Sequence, residues 1–219
     1  FISIYITNKF IKKGLKEFFK EENKPMPKLP NKSLAFIISI VISILFTNAI
    51  SEKLLLCVNA TWFGIPDSIF GADIGFYMFQ KTFIETIINY FIYLIIGLAI
   101  YTAAYYIITF NKYFDAVSRE TLKKNTFIKQ LIFFVRLIVV AFAASILIKM
   151  QGIGIGEFLK LKDIDSTAIY GAGLTDISIK LWGYRILAIV IVVAVFVAIR
   201  FFKKGQSSKV IFSLCMVPA

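Results

Sequence analysis

The stretch Ile128-Lys129-Gln130-Leu131-Ile132-Phe133-Phe134-Val135-Arg136-Leu137-Ile138-Val139-Val140-Ala141-Phe142-Ala143-Ala144-Ser145-Ile146-Leu147-Ile148-Lys149-Met150 decides the fold of this chain. Crossing roughly 30 Å of hydrocarbon takes about 20 mostly apolar residues in a helix. This stretch meets that length, with Lys129 and Lys149 near its ends and one internal charge, Arg136. In lipid a helix satisfies its own backbone N–H and C=O groups, which an isolated strand does not. The same reading carried outward gives spans at 1–8, 33–50, 83–110, 128–150, 184–201 and 209–219. The first and last are short and open onto the chain ends, so both are read as truncated. The expected fold is all-α, a single polytopic transmembrane helix bundle with about six membrane segments over 1–219.

Composition agrees with a lipid environment. Hydrophobic residues make up 58% of 219, aromatic residues 16%, and the mean hydropathy is +0.79, more apolar surface than a soluble domain of this size buries. The net charge of +12 would suggest nucleic acid if it formed one patch, but it is confined to particular loops. No nucleic-acid partner is expected. The chain has no histidine, and Cys57 and Cys215 have neither pairing nor ligand spacing, so no metal or other cofactor is expected.

Loop charge orients the bundle. Loop 9–32 holds eight lysines against three acids, loop 111–127 four Lys/Arg against two, and turn 202–208 two lysines and no acid. Segment 51–82 has two lysines and three acids, and segment 151–183 three lysines and four acids. The positive-inside bias makes the first set cytoplasmic and the second outward-facing, in strict alternation. In loop 9–32, Ile11, Leu15, Phe18 and Phe19 share one helical face, opposite Lys12, Lys13, Lys16 and Lys20. Two readings stand: a helix on the inner leaflet drawn to anionic lipid, or a linker helix packed on the chain's own spans.

Polar groups inside the spans are the candidate functional residues. Arg136 lies about eight residues, roughly 12 Å, into its span, where a charge is costly and faces the bundle interior or snorkels. Tyr101 and Tyr105 lie at matching depth on span 83–110, so cation–π contact and hydroxyl hydrogen bonds to Arg136 are expected. Near the outer interface Glu85, Lys149 and Arg185 are read as interfacial charges, with Glu85 and Lys149 paired. Ser39, Ser43 and Thr47 recur every four residues, as helix-packing contacts or as one wall of a polar path.

The outer segment contains Phe63-Gly64-Ile65-Pro66-Asp67-Ser68-Ile69-Phe70-Gly71-Ala72-Asp73-Ile74-Gly75-Phe76-Tyr77-Met78-Phe79. Its glycines and Pro66 suit tight turns, Asp67 and Asp73 suit capping or a cation, and its aromatics suit the headgroup zone. This pattern, with Asn59-Ala60-Thr61 before it, resembles the bacterial integral membrane proteins grouped as uncharacterised protein family 0182. A second segment, Gly171-Ala172-Gly173-Leu174-Thr175-Asp176 followed by Tyr184-Arg185-Ile186-Leu187, resembles that family in the same order, and Lys149 falls where the family closes a helix with lysine. Trp62, Ser68, Thr82 and Leu174 depart from its pattern, as does the run Gly152-Ile153-Gly154-Ile155-Gly156. The resemblance implies a further span upstream and a large extracytoplasmic domain downstream, and it implies no activity. The expected function is a membrane domain that anchors and orients that extracytoplasmic domain at the bacterial cell membrane. The alternative is a transporter or channel with a polar pathway near Arg136. A membrane enzyme would need Asp67, Asp73 and Asp176 to converge.

Overall fold

The computed structural model describes residues 1–21, 23–27, 31–113, 126–155, 176–204, 209–210 and 213. Among the described residues the long α-helices are α1 Ile2–Glu21, α2 Asn31–Val58, α3 Thr82–Tyr113, α4 Thr126–Met150 and α5 Leu181–Lys203. A π-helical turn, Phe76–Lys81, leads into α3, a 3-10 turn, Gln151–Ile155, continues α4, and a π turn, Asp176–Lys180, leads into α5. The pairing of Pro66 with Asp73 is an isolated antiparallel bridge, and no strand forms among the described residues.

Among the described residues four helical segments are long and apolar enough to cross a membrane: Lys32–Val58, Phe76–Tyr113, Thr126–Ile153 and Ile177–Lys203. Six segments were expected. Residues 1–8 run unbroken into α1, whose five lysines set it apart from those four. Of the expected 209–219 span, all but 209, 210 and 213 lie outside the described residues. The helix carrying the expected 33–50 span continues to Val58, because Leu54-Leu55-Leu56 extends the apolar run past Glu52 and Lys53. Phe36, Ile37, Ile40, Val41, Ile44 and Leu45 of α2 are exposed, a contiguous apolar surface that only lipid or another apolar partner would cover.

The chain forms two compact units, Phe1–Asn48 with Ile92–Ile138 and Ala49–Phe91 with Val139–Ala219. In the first, α1 runs parallel to α3. Ile4 packs in one cluster with Leu98, the Tyr101 hydroxyl donates to Asn8 Oδ1 at 2.7 Å, and Ile11, Leu15 and Phe18 pack with Tyr106 and Phe110. Both sets of numbers rise together. Against α4 they run oppositely: Ile4 packs with Phe134, while the Thr126 hydroxyl donates to Glu17. Ala35 of α2, fully buried, completes the cluster around Ile4. In the second unit Met150, Ile153 and Leu181 pack with Ile69, Phe70 and Tyr184.

Candidate functional site

Two places concentrate built structure, the hairpin of residues 61–79 and the cradle that holds α1. The hairpin turns at two glycines, Gly64 at φ +71° and Gly71 at φ +67°. No atom crowds either one, so it is the left-handed backbone that calls for glycine there. Asp73, 2% exposed, ties the hairpin together. Its Oδ1 accepts the N–H of Phe63 at 3.1 Å and of Gly75 at 2.7 Å, and its Oδ2 accepts the N–H of Ile65 at 3.0 Å. Burial alone would raise its carboxyl, but donors from the Phe63, Gly75, Ile65 and Gly64 backbone outweigh burial and hold it below the ordinary value. Gly75 is the close-approach position: a Cβ there would sit 2.2 Å from the Thr61 carbonyl oxygen.

Asp67 works the same way on the other arm. Its Oδ2 accepts the Phe70 N–H at 2.8 Å and the Tyr77 hydroxyl at 3.1 Å, while its own N–H donates to the Ala72 carbonyl at 2.8 Å. Of the capping and cation readings, the observed bonds are those of capping: both carboxylates serve backbone donors of their own loop. No group of three or more metal-ligating side chains occurs among the described residues. Asp176 begins the π turn before α5, its side chain lies outside the described residues, and so does Gly171–Thr175.

The interfacial charges are distributed as follows. Glu85 forms an ion pair with Lys81 at 2.8 Å, one helical turn earlier, and the Lys81 side chain is 4% exposed. Lys149 is exposed at the end of α4. Arg185 lies over the Trp182 ring, 5.1 Å from its centroid. Arg136 is half-buried on α4. Tyr105 meets the Tyr101 ring edge-on at 5.9 Å. On α2 the Ser39 and Thr47 hydroxyls donate to the carbonyls of Phe36 and Ser43 in their own helix, which satisfies them without a partner helix.

The cradle of α1 is aromatic. Ile11, Leu15, Phe18 and Phe19 are at most 2% exposed. Phe18 meets Phe110 at 4.8 Å, Phe19 meets Tyr113 edge-on at 5.6 Å, and Tyr106 meets Phe127 at 4.5 Å. Gly14 admits the Tyr106 hydroxyl to the helix backbone, since a Cβ there would lie 2.1 Å from it. That hydroxyl donates to the Ile11 carbonyl at 3.4 Å. So of the two readings of α1, the apolar face Ile11–Phe19 is packed on the chain's own helices. Along the exposed face Phe1, Ile2 and Ile6 come first, Lys9 and Phe10 follow side by side, and Lys12, Lys13, Lys16 and Lys20 come last. Sequence reasoning missed Asn8, Gly14, Tyr106 and the Lys81–Glu85 pair. Only the last left a signal, its i, i+4 spacing.

The profile of the family described as Uncharacterised protein family (UPF0182) matches residues 5–219. A UPF0182 protein of Caldicellulosiruptor saccharolyticus is 27% identical over 214 residues, covering 96% of this chain and 22% of the relative. One of Clostridium tetani is 28% identical over 229 residues, covering 99% of this chain and 24% of the relative. One of Clostridium botulinum is 25% identical, covering 83% and 20%. The chain thus spans between a fifth and a quarter of the length of these relatives, and no solved structure matches it. A match across nearly the whole chain shows that it belongs to the UPF0182 family of uncharacterised bacterial proteins.

Proposed function

We propose that this chain is the membrane-embedded part of a larger cell-envelope protein, and that it anchors and orients an extracytoplasmic part of that protein in the bacterial plasma membrane. The observation that carries the reading is the pairing of four membrane-length helices with a connecting hairpin whose two carboxylates are both spent on its own loop. Such a hairpin is held by its own carboxylates, which suits a platform. The loop charges support a cytoplasmic placement of 9–32 and an outer placement of 51–82. The packing of Ile4 on Leu98, Ala35 and Phe134, all within membrane-length helices, supports residues 1–8 as the inner end of a fifth membrane segment. The bilayer, anionic lipid of its cytoplasmic face and the extracytoplasmic domain of the same protein are then its partners. Arg136 packs toward the tyrosine face of α3, and Glu85, Lys149 and Arg185 mark the outer interface.

The test is replacement. In a strain lacking the full-length protein, the outer part is expressed on an unrelated membrane anchor, and restoration of the deletion phenotype is expected. Failure to restore it at matched expression would overturn the anchoring role and favour a function within the spans.

A further inference from the structure

Two adjoining cavities in the first unit share Ile6 and Phe10. One, of about 290 Å³, lies between α1 and α4 and is walled by Ile6, Phe10, Phe133 and Phe134, with Lys129 at its edge. The other, of about 660 Å³, spreads over Lys9, Lys12, Lys13 and Lys16. We propose that together they bind one anionic phospholipid of the cytoplasmic leaflet, its acyl chain along Ile6, Phe10 and Phe133 and its phosphate on Lys9, Lys13 and Lys129. This rests on the orientation given under the proposed function.

The helix register makes the shape fit. Lys9, Lys13 and Lys16 stand at i, i+4 and i+7 on one face, and beside it Ile6 lies one turn before Lys9 and Phe10 one turn before Lys13. Depth follows from packing: Ile4 is level with Leu98 in the middle of α3, so the apolar end of the groove points into the bilayer. Lys129, near the start of α4, returns to the same end as the α1 lysines because the two helices are antiparallel. All five lysines are exposed, and no carboxylate pairs with them among the described residues. Glu17, which accepts the Thr126 hydroxyl beside the groove, is one negative charge against five positive ones.

Charge complementarity selects the occupant. An acidic protein or a free phosphate would use the lysines and leave the apolar wall wet, whereas a lipid with a phosphate head and a hydrocarbon tail uses both. The groove is more specific than the general attraction of a basic helix to the inner leaflet. It predicts a counted, retained lipid.

The full-length protein is placed in nanodiscs of phosphatidylglycerol and phosphatidylcholine, extracted gently, and the retained lipid counted by native mass spectrometry. The unaltered protein is expected to retain phosphatidylglycerol preferentially. Replacing Lys9, Lys13 and Lys129 together with Gln should weaken retention roughly a hundredfold, from about fivefold per lysine near a membrane surface. Replacing Lys20, Lys112 and Lys203 with Gln, an equal charge change elsewhere, should leave it unchanged. Ile6→Trp, at an exposed position that keeps every lysine, should block the tail and also abolish retention. Equal retention of the two lipids, an equal loss in both lysine triples, or unchanged retention in Ile6→Trp would each overturn the site, as would displacement by soluble glycerol phosphate at the concentration effective for the lipid. Orientation is read separately in intact cells from a Lys20→Cys variant. Labelling of that cysteine from outside would fail the orientation, whereas protection from outside with lipid retention insensitive to the variants would fail only the groove.

Discussion

Gly14→Ala is the sharpest test of how α1 is held. The added Cβ would stand 2.1 Å from the Tyr106 hydroxyl oxygen and 3.2 Å from Thr126 Cβ. A tyrosine tip would ordinarily swing aside, but Tyr106 is fully buried and its ring is held between Phe110 at 5.6 Å and Phe127 at 4.5 Å. Overpacking of this kind costs about 1–3 kcal/mol. Alanine returns about 1 kcal/mol of the helix penalty of glycine, so the net is about 1–2 kcal/mol at the enclosed end of the range. That corresponds to a roughly five- to thirtyfold larger population of undocked α1. Amide hydrogen exchange across residues 4–19 of the full-length protein in nanodiscs reads this directly. The same geometry specifies its own rescue. Tyr106→Phe removes the oxygen and leaves the ring carbon at 3.3 Å, so the Gly14→Ala, Tyr106→Phe double variant should recover most of the protection. It gives up only the long 3.4 Å hydrogen bond to Ile11. Wild-type exchange in Gly14→Ala, or a double variant as exposed as the single one, would refute the close approach of α1 to α3.

At Gly75 the crowding atom is a backbone carbonyl, so Gly75→Ala should cost about 3 kcal/mol and show as protease cleavage within residues 61–79 that the unaltered protein resists. Asp73 sets the pH response of that hairpin. Its folded carboxyl lies below the ordinary value of 3.8, so its contribution is complete above that value and is lost as pH falls through the lower folded value. Trp62 fluorescence in a Trp182→Phe background should therefore change only at strongly acidic pH. In Asp73→Asn it should already be altered at neutral pH and lack that acid transition, and a transition retained in Asp73→Asn would assign it to another group. For the Lys81–Glu85 pair, Lys81→Leu alone should destabilise by about 1–3 kcal/mol by taking its partner from a half-buried carboxylate. Lys81→Leu with Glu85→Leu should recover most of that in thermal unfolding, and additive losses would show that the pair is not coupled.

The segment 128–150 was legible because a helix long and apolar enough to cross a membrane is written in local composition: each backbone hydrogen bond closes within the segment, so length and hydropathy suffice to name it. The hairpin was half legible. Gly64, Gly71, Asp67 and Asp73 announced turns and caps, but a carboxylate that caps and one that binds a cation have the same letter. Only the tertiary structure shows the Phe63, Ile65 and Gly75 amides converging on Asp73.

What the sequence by itself determined about this protein is its long apolar helices and its family, since both reside in runs and spacings along one chain. The tertiary structure alone decided which face of α1 is buried. Ile11, Leu15, Phe18 and Phe19 fit a lipid surface or a protein surface equally well by hydropathy, because hydrocarbon and a buried aromatic ring are alike to an apolar side chain. The choice depended on Tyr106 and Phe110, some ninety residues away, coming to lie against a helix that Gly14 leaves open to them.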